Sequence, residues 1–68
     1  KMHKLVFESM QELKKMITLF EQHNYEYSWY FLNRKYEMHL GNTNVDHVKW
    51  MLKNINSDVK FKWGEYYW

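Results

Sequence analysis

Histidines, serines and neighbouring carboxylates are the groups through which this chain could do chemistry, since it has no cysteine and a single arginine, Arg34. No thiolate metal site, thiol nucleophile or disulfide framework is available to it. His3, His23, His39 and His47 form no i, i+4 pair and no HExxH run, and few carboxylates stand near them. Surface or partly buried histidines with ordinary hydrogen bonds are therefore expected, and no metal. Ser9 is placed as a helix cap, Ser57 lies in a turn, and Ser28 falls on an edge strand without an evident base. Glu8, Glu26 and Glu37 could imitate a catalytic carboxylate pair. Lysines alternate with them, however, so cross-strand ion pairs are the better reading. Neither catalytic residue nor cofactor is expected, and the chain reads as a non-enzyme.

The elements that must position these groups follow from periodicity. Leu5 and Phe7 alternate with Lys4, Val6 and Glu8, as a strand over about 3–8 requires. Ser9 with Glu12 is a capping-box pattern that opens a helix over about 10–23, whose stripe is Met10, Leu13, Met16, Ile17 and Phe20. His23-Asn24 ends it. Aromatic residues from Tyr25 to Leu32 make a second strand, and a short interruption at Asn33-Arg34-Lys35 leads into a third over about 35–40. After the turn at 41–44, Thr43 with Asp46 repeats the capping pattern before a helix over about 44–55, with Val45, Val48, Leu52 and Ile55 as its stripe. Val59, Phe61 and Trp63 alternate with lysines in a fourth strand over about 59–63, ahead of Gly64 and an aromatic tail.

The order βαβ–βαβ, with right-handed crossovers, gives an α+β, two-layer ferredoxin-like sandwich over 1–68. Its four-stranded antiparallel sheet takes the order 4-1-3-2, with both helices on one face. Alternation assigns Leu5, Phe7, Tyr25, Tyr27, Trp29, Phe31, Tyr36, Met38, Leu40, Val59, Phe61 and Trp63 to the helix side. Lys4, Val6, Glu8, Glu26, Ser28, Tyr30, Lys35, Glu37, His39, Lys60 and Lys62 fall on the open side. The second strand is where a bulge or slip would reverse this assignment. Domains of this shape that carry copper have a CxxC after strand one, where this chain has Glu8-Ser9-Met10, and acylphosphatases have an arginine there. RNA-recognition domains carry aromatics on the central strands of the open face, where this chain has charge.

At 68 residues the domain is small, and the 46% apolar and 21% aromatic content supplies the dense core that so short a chain needs. The +2 charge is dispersed, which is no polyanion-binding signature. No apolar run resembles a signal peptide or a membrane span, so a cytoplasmic protein with no membrane contact is expected.

Function then rests on surfaces. Trp50 lies off its helix stripe, and Tyr66, Tyr67 and Trp68 end the sequence, so these four are the candidates for binding a protein partner. The second strand is an edge free of lysine, proline or inward charge, through which a homodimer or a partner's strand could pair. The expected function is a small protein-binding module, a regulator or inhibitor acting by surface occupation on a partner the sequence does not identify. The alternative is single-stranded nucleic-acid binding through Lys4, Tyr30, Lys35, Lys60 and Lys62 on the open face.

Overall fold

A computed structural model describes residues 2–55 and 58–66, without the side chain of Tyr66. The elements are β1 (Met2–Phe7), α1 (Met10–Gln22), β2 (Tyr27–Leu32), β3 (Lys35–Leu40), α2 (Val45–Asn54) and β4 (Lys62–Tyr66). All strand pairs are antiparallel in the order β2-β3-β1-β4, the expected topology read from its other edge.

Local chemistry explains the boundaries. Ser9 has extended backbone and its hydroxyl accepts the Glu12 N–H at 3.3 Å. Only that half of the capping box is seen, because Glu12 Oε2 is buried without a hydrogen-bond partner. At the other end, Asn24 takes φ of 55°. The N–H groups of Asn24 and Tyr25 reach back to the carbonyls of Glu21 and Phe20, the paired bonds of a Schellman motif. Tyr25 then packs edge-on against Phe20 at 5.7 Å, the apolar contact that accompanies such a stop. The second helix is capped one residue later than expected: Asn44, not Thr43, accepts the His47 N–H at 3.1 Å. Asn serves this position as well as Thr does, and Thr43 Oγ1 is left buried without a partner.

The β2–β3 hairpin closes through Asn33 and Arg34 alone, both at positive φ, 53° and 63°, as a two-residue type I′ turn requires. A left-handed conformation costs a side-chain-bearing residue roughly 1–2 kcal/mol. Arg34→Gly removes that strain at Arg34's position but loosens the unfolded chain. The expected net gain is about 0.5–1 kcal/mol, read as a rise of a few degrees in Tm; an unchanged or lower Tm would contradict the turn assignment.

The core lies between the helices and the central strands. Leu5, Phe7, Met38 and Leu40 from the sheet meet Leu13, Met16 and Phe20 from α1 and Val48, Met51 and Leu52 from α2, with Val59 closing one end. In α2 the buried stripe runs Val48–Met51–Leu52, so Ile55, expected inside, is exposed. The fourth strand is also displaced. It covers Lys62–Tyr66 rather than 59–63, and Gly64 sits within it opposite Lys4. Its partner explains most of this: β1 ends at Phe7, level with Phe61, and the chain turns at Ser9 into α1, so residues 58–60 find no strand to pair with. Instead Lys15 holds Asp58 at 2.8 Å, and Val59 drops into the core.

Candidate functional site

Strand β2 is an edge, and its helix-side register is the expected one: Tyr27, Trp29 and Phe31 stand opposite Leu40, Met38 and Tyr36. Only Tyr27 reaches the core, edge-on to Phe20 at 5.9 Å. Trp29 and Phe31 were expected inside on the alternation, yet they are 42% and 58% exposed. Both rings lean on Tyr36, at 6.3 and 4.9 Å between ring centres. Phe61, also assigned inward, is exposed as well. On the other face Tyr30 and Leu32 are 47% and 46% exposed. Four consecutive large apolar residues therefore project from both faces of one uncharged strand.

The backbone of that strand is open on the same side. In a two-residue hairpin the pair flanking the turn, here Leu32–Lys35, is the hydrogen-bonded kind, and the kinds alternate along the ladder. The Gly41 N–H donating to Glu26 O at 3.0 Å continues the same phase. The N–H and C=O groups of Tyr27, Trp29 and Phe31 thus point away from β3.

The open face is locally neutralised. Lys4 Nζ lies 3.2 Å from Glu37 Oε1, His39 Nε2 lies 3.0 Å from the same oxygen, and Lys35 holds Glu8 at 2.6 Å. Tyr30 meets His39 edge-on at 5.0 Å. Lys60, just before β4, and Lys62, opposite Val6, are exposed and form no ion pair among the described residues. The proposed basic stripe is thus interrupted by acids at its centre and at the hairpin. The hydrogen bond to His39 holds the Glu37 carboxyl below the usual glutamate range, with Lys4 helping and partial burial opposing. A lowered folded value means stability that is complete above the ordinary glutamate pKa, about 4.3, and is lost as pH falls through the folded one. The difference in urea midpoint between the parent and Glu37→Gln should accordingly be larger at pH 6 than at pH 3, and a pH-independent difference would remove this coupling.

A third surface joins the helix ends. Tyr25 Oη and His47 Nδ1 are 2.7 Å apart, His23 lies edge-on to His47 at 5.0 Å, and Trp50 stacks on His47 at 5.7 Å and 11°. Trp50 is 52% exposed, so it remains available as an anchor. Tyr66 ends β4 opposite Met2, while its side chain and all of Tyr67 and Trp68 lie outside the described residues. The meeting of His23 and His47 has no sequence signal, because it depends on how the end of α1 packs against the start of α2. The exposure of Trp29 and Phe31 has a partial one in the uncharged edge.

Among the described residues no helix is long and apolar enough to cross a membrane. No protein-family model matches the chain, and neither the curated proteins nor the solved structures contain a match.

Proposed function

We propose that this chain is a non-enzymatic protein-binding module that docks by strand addition at β2, acting as a regulator or inhibitor by occupying a partner's edge. The observation that supports it is the run of Trp29, Tyr30, Phe31 and Leu32 exposed on an uncharged strand whose outer backbone groups are unpaired within the sheet. Uncharged edges of this kind are what proteins ordinarily protect. The other edge has such protection, with Lys60, Lys62 and Glu65 on or beside β4.

The partner strand that suits this edge on its own chemistry is a second copy. Antiparallel pairing about a two-fold axis at Trp29 sets Tyr27 against Phe31 of the other copy, and Trp29 against itself. All three outward-facing residues then exchange hydrogen bonds. A register centred on Tyr30 would use only Trp29 and Phe31, so the Trp29-centred one is favoured. On the helix side it brings aromatic rings of both copies together, and like-on-like pairing meets no charge repulsion. A target protein offering an apolar strand would compete for the same edge.

Sedimentation equilibrium from micromolar to millimolar protein tests this, together with intermolecular NOEs between Ser28 and Tyr30 in a mixed-label sample. A strictly monomeric chain would overturn the self-pairing. Nucleic-acid binding through the open face has weaker support, since Glu37 and Glu8 already hold Lys4 and Lys35 and phosphate neutralisation needs free cations.

A further inference from the structure

At the end of the sheet where β1 stops, a cleft of about 430 Å³ opens between α2 and the chain leading into β4. Its walls are Leu52, Phe61 and Trp63, and its rim carries Lys49 and Lys53. The volume lies within the roughly 300–1,000 Å³ that small organic ligands occupy. We propose that this cleft binds a small organic anion, with an aromatic or aliphatic body against Leu52, Phe61 and Trp63 and a carboxylate on Lys49 and Lys53.

Two observations carry the choice of ligand. The first is charge. Lys4, Lys15 and Lys35 each hold a carboxylate, whereas Lys49 and Lys53 form no ion pair among the described residues. Lys49 Nζ lies instead over the Trp63 ring, 5.1 Å from its centre. Residues four apart lie on one helix face, so the two ammonium groups serve one rim. Among the described residues no acid lines the cleft. The second is preorganisation. The Trp63 indole N–H and His3 Nδ1 are 3.2 Å apart, which fixes the ring that forms one wall. Leu52 is buried from behind by the core. An anion seated on Lys49 would add an ion pair to a cation–π contact that already exists, without moving the ring. A membrane surface is a poorer occupant, because such binding draws on about 4–8 clustered cations.

The test is an amide NMR titration of the full chain with 2-naphthoate, set against the neutral 2-naphthalenemethanol of similar shape. Naphthoate should give saturating shifts at Lys49, Leu52, Lys53, Phe61 and the Trp63 indole N–H. It should bind about five- to tenfold more tightly than the alcohol, as two solvent-screened ion pairs allow. The double variant Lys49→Gln/Lys53→Gln should equalise the two ligands while amide protection of α2 stays unchanged. Shifts that do not saturate, that spread over the sheet, or that are matched by the alcohol in the parent chain would overturn the proposal.

Discussion

Trp29→Lys is expected to abolish self-association while leaving the domain folded. In the Trp29-centred dimer each copy places its residue 29 beside the other's, with Cα atoms about 5.5 Å apart. Lysine there removes two aromatic rings from the centre of the interface and sets two ammonium groups against each other. Central aromatic anchors contribute about 2 kcal/mol or more each when truncated. Two per dimer predict a loss of at least about 4 kcal/mol, or roughly a thousandfold in Kd. The cost to the monomer is small by comparison. Trp29 is 42% exposed and touches the sheet mainly through Tyr36, so about 1 kcal/mol is expected. Trp50→Lys is the control, since it introduces the same charge at another exposed indole that β2 pairing does not use. Association lost in the first variant and kept in the second places the interface on the edge. Association unaffected by Trp29→Lys would remove β2 as the docking element.

What the chain's pattern conveyed, and what it withheld, divides along a physical line. Period-two alternation and helix caps are local, and they located the first five elements and the topology, while the expected fourth strand overlaps β4 only at Lys62 and Trp63. Burial is not local. Trp29 points to the same face as Met38, but the sideways reach of the helical layer decides whether that face is covered, and on this edge strand Trp29 and Phe31 stay 42% and 58% exposed. The shift of β4 is non-local too, since β1 ends at Phe7, level with Phe61, and the stretch before it has no strand to pair with. Among the site residues, Trp50 was legible because it lies off its helical stripe. His47 beneath it was not, because the stack pairs a surface residue with a histidine whose position is set by the Tyr25 hydroxyl. The lysine stripe is interrupted by the cross-strand ion pairs that the alternation led one to expect. The residues face one side as expected, but the β1–β3 register delivers Glu37 to Lys4.

Phe20→Ala should unfold most of this domain near physiological temperature, although Phe20 and Phe31 look equivalent in composition and spacing. Phe20 is fully buried and meets both Tyr25 and Tyr27 edge-on, at 5.7 and 5.9 Å. Tyr25 in turn links to His47 on α2, so this one ring supports the end of α1, the approach to β2 and the start of α2. Replacing a buried phenylalanine by alanine costs about 3–5 kcal/mol in transfer and cavity energy. At roughly 0.05–0.15 kcal/mol per residue, a chain of 68 residues has only about 3–10 kcal/mol in total. The corresponding fall in Tm is about 15–40 °C for a domain of this size. Phe31→Ala removes the same ring from a site 58% exposed, so its Tm should move by a few degrees at most when measured at concentrations where the chain is monomeric. Thermal melts by circular dichroism at matched low concentration compare the two. Equal losses would mean that the hairpin packs against more of the domain than Tyr36, and the open edge on which the proposed pairing depends would not exist.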